Sequence, residues 1–214
     1  MFPTRHTTTV PVFGRVVLVA SLGGMQAITT VLTGVPADYP VPIAVVLHRR
    51  RTSDGHDLLS AILSRRTPLP VRIAEADAPA DLRGVTVVPA QISATIDDGG
   101  QWQLAETAVG AWPGNALLAS SAGHTPTIAV ILTGSLADGS DGCRAVKRGG
   151  GRVLVQDPVT ARASSMPANA IATGCTDFVL PAERLAAALL ALTTAPGAAD
   201  LLTVPLPPWA RLSS

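Results

Sequence analysis

The fold prediction rests first on the stretch Arg15-Val16-Val17-Leu18-Val19-Ala20-Ser21-Leu22-Gly23-Gly24-Met25-Gln26-Ala27-Ile28. It opens on a continuous apolar run, which is typical of a strand buried on both faces of a parallel sheet. After Ser21 and two glycines, apolar residues recur at helical spacing. The sequence therefore predicts a strand over residues 15–20, a tight turn at Ser21 and a helix over residues 24–33.

This turn holds a hydroxyl at the start of a helix. Gly23 and Gly24 allow the backbone to turn tightly and to come close to a ligand. The first N–H groups of the helix and its positive dipole end face the turn, which favours an oxyanion. Ser21 can therefore be a nucleophile with charge stabilisation beside it. The same turn could cradle a phosphate, although it lacks the full dinucleotide pattern and an acid after the next strand.

Composition limits the class of protein. The 214 residues are enough for one domain with a well-buried core, and 47% of them are apolar while 14% are charged. A formal net charge of +1 and an aromatic content of 3% argue against a nucleic-acid partner. No stretch approaches the ~20 apolar residues of a membrane span, and the N-terminus does not resemble a signal peptide. We expect a cytoplasmic protein without membrane insertion.

The two cysteines predict neither a disulfide framework nor a metal site. Cys143 and Cys175 are far apart in the sequence and have no ligand spacing. We expect both to be small core residues in a reducing compartment, and we expect the protein to need no metal and no organic cofactor.

Strands and helices alternate along the rest of the chain. Apolar runs predict further strands at 43–47, 71–73, 85–88, 127–132, 153–155 and 178–180. Helices are predicted from an N-cap at Thr52 or Ser53, and at 115–122, 143–148, 168–173 and 181–192. Residues 92–96 and 102–104 flank a turn and predict a β-hairpin. The alternation predicts a three-layer α/β/α sandwich with a mostly parallel, doubly wound sheet and an added antiparallel hairpin.

Both ends of the chain lack such periodicity. Residues 1–14 are polar with two prolines and are predicted to be a flexible lead. Residues 195–214 contain four prolines and are predicted to be a tail. The predicted domain therefore spans residues 15–194.

Three reactive side chains follow predicted strands. Ser21 ends the first strand, His48 ends the second, and Asp138 lies in the glycine-rich loop after the strand at 127–132. Because ligands in open parallel sheets bind outside the carboxyl ends of the strands, we expect the three to share one edge. A hydroxyl, an imidazole that takes its proton, and a carboxylate that orients the imidazole are the set needed for acyl transfer.

Each of these residues also has a structural alternative or a competitor. A serine before a helix is often only a cap, a histidine after a strand is often structural, and an Asp-Gly pair is often a turn. His56 could replace His48, although it falls within or at the start of a helix. Asp141 could replace Asp138, and Ser135 is a second hydroxyl in the same loop.

Several separated motifs occur in a fixed order along the chain. They are Ala-Ser-Leu-Gly-Gly at 20–24, His48 after its strand, Ile-Leu-Thr-Gly at 131–134, Ala-Asp-Gly at 137–139, Gln-Asp-Pro at 156–158 and Met-Pro at 166–167. With this set, the chain resembles the catalytic domain of the chemotaxis protein-glutamate methylesterase CheB from about Arg15 to Leu192. The order serine, histidine, aspartate also differs from that of α/β-hydrolases.

The resemblance implies a serine carboxylic ester hydrolase that removes methyl groups from glutamate γ-methyl esters on chemoreceptors and also deamidates certain glutamines. The family's nucleophile, histidine and aspartate fall on Ser21, His48 and Asp138. We expect the backbone N–H groups around Leu22–Gly24, together with Ser135, to bind the oxyanion. The implied partner is a methylated chemoreceptor-like protein.

Residues beside these three depart from the family's pattern. Val19 stands where the family has glycine, and Leu22 stands where it has threonine. In the later loop, a methionine is replaced by Ser135, and a glycine and an asparagine are replaced by Leu136 and Ala137. These changes bear on receptor docking and substrate choice more than on the acyl chemistry.

Two further departures concern partners. His48 is followed by Arg49-Arg50-Arg51-Thr52, which we expect to be a solvated loop that could also meet an acidic partner. Only 14 residues precede the first strand, so control by the family's receiver domain would need a separate response-regulator chain. Two other functions stay open, namely a docking module with little catalysis and a carboxylesterase for small molecules.

Overall fold

The computed structural model describes residues 12–51, 57–195 and 197–198. The strands are β1 (Arg15–Ala20), β2 (Ile43–Leu47), β3 (Val71–Ile73), β4 (Val85–Val87), β5 (Ile92–Ile96), β6 (Trp102–Glu106), β7 (Thr127–Ile131), β8 (Arg152–Gln156) and β9 (Phe178–Leu180). The helices are α1 (Gly24–Thr33), α2 (Leu58–Arg66), α3 (Pro113–His124), α4 (Ser140–Arg148), α5 (Ser165–Ala172) and α6 (Ala182–Thr194).

The sheet confirms the predicted fold class. Its seven strands lie in the order β3-β4-β2-β1-β7-β8-β9, and every neighbouring pair is parallel. The predicted hairpin is present as the antiparallel pair β5–β6. The chain therefore forms a doubly wound sheet between two layers of helices, with the hairpin added to one layer.

The central strand β1 separates two hydrophobic cores. All six of its residues are buried. Val16, Leu18 and Ala20 pack into the core that includes side chains of α1, α2 and α6, whereas Val17 and Val19 pack into the core with α3, α4, α5 and the hairpin. Successive side chains of a strand point to opposite faces, which is why an apolar run without alternation fits a strand covered on both sides.

The strand register brings the predicted functional residues to one edge. Ala20 of β1 pairs with Leu47 of β2, so Ser21 and His48 follow neighbouring strand ends. The strand on the other side of β1 is β7. The chain winds from β1 toward β2 and later crosses to β7, so the carboxyl end of β1 lies where the strand order reverses. This is the usual position of a ligand site in an open parallel sheet.

The predicted start of α2 is wrong. The helix begins at Leu58, and its N-cap is Asp57, whose carboxylate accepts the N–H of Ser60 at 2.9 Å. The predicted caps Thr52 and Ser53 lie outside the described residues. Aspartate is as good a cap as serine or threonine, so residue type alone did not distinguish the candidates.

Other helices differ from prediction by a few residues at their ends. Helix α3 starts earlier because Pro113, which needs no hydrogen-bond acceptor, begins it. Helix α4 begins at Ser140 inside the predicted loop, and α5 begins at Ser165. Pro181 is the N-cap of α6 and does not lie within its first turn.

The packed part of the chain includes the end of the predicted lead. Phe13 is 1% exposed, and the Arg152 guanidinium lies 5.7 Å from the centroid of its ring. The Gly14 N–H donates to the carbonyl of Pro126 at 3.0 Å. Residues 1–11 and most of 195–214 lie outside the described residues, so the lead and the tail stay predictions there.

Both cysteines are buried and free, as predicted. Burial raises the pKa of the Cys143 thiol far above its usual range. None of the described helices is both long and apolar enough to cross a membrane.

The alkaline titration of Tyr39 reports the integrity of this core. Tyr39 is the one tyrosine of the chain and is 2% exposed, and burial raises its pKa to about 12. The unfolded chain titrates near pH 10. The folded protein therefore favours the neutral phenol of Tyr39, and the unfolded chain loses its proton first as the pH rises. The free energy of unfolding should be unaffected by this group below pH 10 and should fall by about 2–3 kcal/mol between pH 10 and 12.

We expect the phenolate absorbance of the folded protein to rise with a midpoint near pH 12. Tyr39→Phe is the control, because it should remove that absorbance and this component of the pH dependence. A midpoint near pH 10 while the protein is still folded would contradict the burial of this side chain.

Candidate active site

Ser21 is held at the junction of β1 and α1. Its N–H donates to the Thr133 carbonyl at 3.0 Å, and its own carbonyl accepts the N–H of Gly24 at 2.8 Å. Between them Gly23 has φ +81°, a left-handed conformation that glycine adopts without steric cost. The turn therefore fixes the serine backbone on both sides.

Gly24 serves packing more than ligand approach. A Cβ there would lie 2.6 Å from Ala20 Cβ and 2.6 Å from Leu47 Cδ1, so glycine lets α1 begin directly against the strand ends. Its N–H is occupied by the Ser21 carbonyl. Of the backbone donors predicted for the oxyanion around Leu22–Gly24, those of Leu22 and Gly23 have no acceptor among the described residues.

His48 and Asp138 are in direct contact although they are 90 residues apart in the sequence. His48 Nε2 lies 2.6 Å from Asp138 Oδ2, and the Asp138 side chain is fully buried. The backbone N–H of His48 donates to the Ala20 carbonyl at 3.0 Å, which fixes the residue beside the nucleophile turn. Because Nε2 is engaged by the carboxylate, Nδ1 is the ring nitrogen left for a reacting group.

The Asp138 carboxylate also caps the beginning of α3. Its Oδ2 accepts the N–H of Gly114 and its Oδ1 accepts the N–H of Asn115, both at 2.8 Å. A negative charge at a helix N-terminus is stabilised by the unpaired N–H groups and by the helix dipole. These bonds satisfy both oxygens of the buried carboxylate and fix its orientation toward His48.

The competing residues lie elsewhere. Asp141 pairs with Arg144 at 2.6 Å on α4, and its side chain is 76% exposed. Ser135 is exposed and does not line the cavity that contains Ser21. His56 lies outside the described residues. The structure thus brings Asp138, and not Asp141, to His48.

A cleft of about 1170 Å³ opens at this edge of the sheet, and Ser21, His48 and Thr133 line it. No hydrogen bond joins the Ser21 hydroxyl to His48 among the described contacts. Such bonds are often long or poorly aligned before substrate binds. A smaller cavity of about 200 Å³ lies on the hairpin side of His48. Within the described residues, no three His, Cys, Asp or Glu side chains converge to hold a metal ion, and the absence of a cofactor stays a prediction.

Comparison with known proteins identifies the family to which this chain belongs. The family model described as CheB methylesterase matches residues 16–189. The chain belongs to the CheB methylesterase family. The catalytic domain of the Thermotoga maritima CheB methylesterase has 29% sequence identity and a TM-score of 0.77 over 84% of this chain and 98% of that domain.

Two curated relatives are longer than this chain. The protein-glutamate methylesterase/protein-glutamine glutaminase of the group 3 operon of Rhizobium meliloti is 32% identical over 196 residues, which are 89% of this chain and 53% of that protein. The protein-glutamate methylesterase FrzG of Myxococcus xanthus is 34% identical over 192 residues, which are 87% of this chain and 57% of that protein. The chain spans about half the length of these relatives.

Thr133 connects two loops of this CheB-family site. Its hydroxyl donates to the Leu22 carbonyl at 2.9 Å and accepts the N–H of Ala163 at 2.8 Å. The Thr133 N–H donates to Oε1 of the buried Gln156 at 2.9 Å. The sequence placed Thr133 and Gln156 in motifs but gave them no role. The structure shows that they join the nucleophile turn to the loop after β8.

Gly114 and Asn115 were missed as site residues. Besides the backbone bond to Asp138, the Asn115 side chain accepts the N–H groups of Gly139 and Gly142, both at 2.9 Å, and so fixes the start of α4. The available signal was the run Trp-Pro-Gly-Asn at 112–115, in which proline begins a helix. It predicts a helix N-terminus but does not show which carboxylate that helix will meet.

The prediction of a solvated arginine loop is wrong for Arg49. Its guanidinium pairs with Asp57 and donates to the Val88 carbonyl at 3.1 Å, and the side chain is only 15% exposed. Arg51 is exposed but pairs with Glu106 of the hairpin at 2.6 Å. These arginines therefore attach the segment after His48 to β4, α2 and the hairpin.

Gly114→Ala tests the close approach of α3 to Asp138. An added Cβ would lie 2.5 Å from Val19 Cγ1 and 2.8 Å from Asp138 Oδ2, so the helix end must move. We expect a loss of about 1–3 kcal/mol in the free energy of unfolding, measured by denaturant titration.

Gly123→Ala is the matched control in the same helix, because a Cβ there meets no heavy atom within 4 Å. It should be neutral or stabilise by up to about 1 kcal/mol. Equal effects of the two substitutions would show that α3 does not need a glycine beside Asp138.

Proposed function

We propose that this chain is a serine carboxylic ester hydrolase that cleaves glutamate γ-methyl esters on a methylated chemoreceptor-like protein. The observation that carries the proposal is the 2.6 Å contact between His48 and the buried Asp138 carboxylate beside the Ser21 turn. Membership of the CheB methylesterase family supports the choice of ester.

In this mechanism the Ser21 hydroxyl oxygen attacks the ester carbonyl carbon while Nδ1 of His48 accepts its proton. The N–H groups of Leu22 and Gly23 donate to the oxyanion of the tetrahedral intermediate. The intermediate collapses to an acyl-enzyme, and the proton on His48 leaves with methanol. A water molecule then attacks the acyl-enzyme with its proton passing to His48, and collapse returns that proton to Ser21 and releases the glutamate side chain.

Asp138 acts through His48. Its contact with Nε2 keeps the proton of the neutral ring on that nitrogen, so Nδ1 is the free base, and its charge stabilises the imidazolium. The N–H groups of Gly114 and Asn115 keep the carboxylate oriented. The same steps on a glutamine side chain would release ammonia in place of methanol, which fits the glutaminase activity in the name of the Rhizobium relative.

A docking module with little catalysis is the second candidate. The absence of a hydrogen bond from Ser21 to His48 among the described residues favours it, as does the occupied N–H of Gly24. The small-molecule carboxylesterase, the cytoplasmic location and a separate response-regulator partner stay predictions from the sequence.

Methanol release from methylated chemoreceptor membranes tests the proposal. We expect Ser21→Ala to lower the rate by at least about 10³-fold, because the acyl-enzyme cannot form. A fluorophosphonate should label the unchanged protein at Ser21 and fail to label the variant. Equal methanol release by both proteins would refute the proposal, and absent labelling with no release would favour the docking module.

Two substitutions of His48 separate its two ring nitrogens. The terminal amide of glutamine reaches the position of Nε2, so His48→Gln can still donate to Asp138 but has no base at the position of Nδ1. Asparagine is too short and leaves the buried carboxylate without that partner. We expect both variants to lose esterase activity, and only His48→Asn to lose about 1–3 kcal/mol of stability.

The thermal midpoints of the two variants, measured beside their methanol release, check this assignment. Activity retained in His48→Gln would show that Nδ1 is not the base. Equal destabilisation of the two variants would show that the contact with Nε2 does not set the stability of the site.

A further inference from the structure

The cleft extends well beyond the three reacting groups. It begins at Ser21 and His48 and follows one side of α1 as far as Thr33 and Arg66. Helix α1 has ten residues, so this side is about 14 Å long. The volume of about 1170 Å³ lies above the range of roughly 300–1,000 Å³ that is usual for small-molecule sites. The site is therefore the end of a groove and not an isolated pocket.

An arginine lies at the nucleophile end of this groove. A Cβ added at Gly23 would lie 2.7 Å from Cβ and 2.9 Å from Cδ of Arg162, so the stem of this arginine rests directly on the nucleophile turn. The backbone next to it is fixed because the Ala163 N–H donates to Thr133 Oγ1 at 2.8 Å. Arg162 is exposed, so its charge faces solvent at the groove.

A second arginine lies at the far end. Arg66 is the last residue of α2, and its carbonyl lies 3.3 Å from the Thr33 hydroxyl, which also donates to the Thr29 carbonyl at 2.7 Å. The Thr67 hydroxyl donates to the Leu32 carbonyl at 3.2 Å. This bond and the Thr33 contact hold the end of α2 beside the end of α1, where Arg66 lines the groove.

The charges that line the groove are unequal. Within the described residues neither Arg66 nor Arg162 has an ion-pair partner, whereas Arg49 and Arg51 are paired with Asp57 and Glu106. Glu183 is the one carboxylate among the described lining residues. An excess of positive charge in a groove favours an acidic occupant.

We infer that this groove binds an acidic segment of the protein substrate, with Arg162 and Arg66 as the residues that recognise its carboxylates. The inference rests on the proposed function, because it places the scissile ester at Ser21. A span of about 14 Å corresponds to roughly nine or ten residues of helix or four of extended chain. The carboxylates that the two arginines recognise therefore lie on the substrate protein around the ester. A small neutral ester has no such carboxylates.

Kinetics on two substrates test this inference. Methylated chemoreceptor membranes present the ester within a protein, and p-nitrophenyl acetate presents only a small neutral ester. We expect Arg66→Gln and Arg162→Gln each to raise KM for the receptor about two- to fivefold, and the double variant about tenfold. The ratio of kcat/KM for the receptor to kcat/KM for the small ester should fall by the same factors.

The chain offers a matched control and a rescue. Arg65 precedes Arg66 on α2, is exposed and does not line the groove, so Arg65→Gln should leave the ratio unchanged. Arg66→Lys keeps the charge and should restore most of the receptor KM. The difference between unchanged protein and double variant should shrink at high salt, where exposed charges are screened.

An unchanged ratio in the double variant would overturn the inference, and so would an equal effect of Arg65→Gln. An equal loss on both substrates would also overturn it, since that would mean that Arg162 only supports the nucleophile turn. Ser21→Ala, measured in parallel, keeps the two ideas apart. Release that depends on Ser21 but not on the arginines refutes the groove alone, whereas release without Ser21 refutes the proposed function.

Discussion

The site depends on one buried charge. The Asp138 carboxylate is fully buried, and an ionised group in such a place is unstable unless it is paired and hydrogen-bonded. His48 and the first N–H groups of α3 supply those partners. His48 follows β2, the two N–H groups belong to α3, and Asp138 itself lies in the loop after β7. Meeting the needs of this carboxylate therefore also fixes the relative positions of these three parts of the chain.

The two sides of His48 have different tasks. Nε2 faces the carboxylate and α3, on the side of the sheet where the hairpin packs, while Ser21 and α1 border the cleft on the other side. In the serine protease template the aspartate contacts Nδ1 and the serine contacts Nε2. Here Nε2 contacts the aspartate, which leaves Nδ1 to face the serine in the proposed mechanism.

The arginines around the site fall into two groups, those paired with a carboxylate and those that line the cleft. Arg49 and Arg51 directly follow the histidine, but their carboxylate partners Asp57 and Glu106 make them structural. Arg66 and Arg162 come from distant parts of the sequence and line the cleft together. Position in the arginine run therefore did not predict which arginines line the cleft, since Arg66 and Arg162 do and Arg49 and Arg51 do not.

The parallel sheet, the hairpin and the serine turn could be predicted from local patterns, because burial and backbone sterics impose the apolar period and the glycine positions on each segment separately. It also placed Ser21, His48 and Asp138 after strands, since each follows a recognisable apolar run. Contacts between distant segments set three other features: Asp138 and not Asp141 meets His48, Gly114 and Asn115 hold that carboxylate, and Asp57 caps the start of α2. These contacts depend on which distant backbone and side-chain groups hydrogen-bond to a buried or terminal polar group. The sequence of one segment does not show which other segment it will contact.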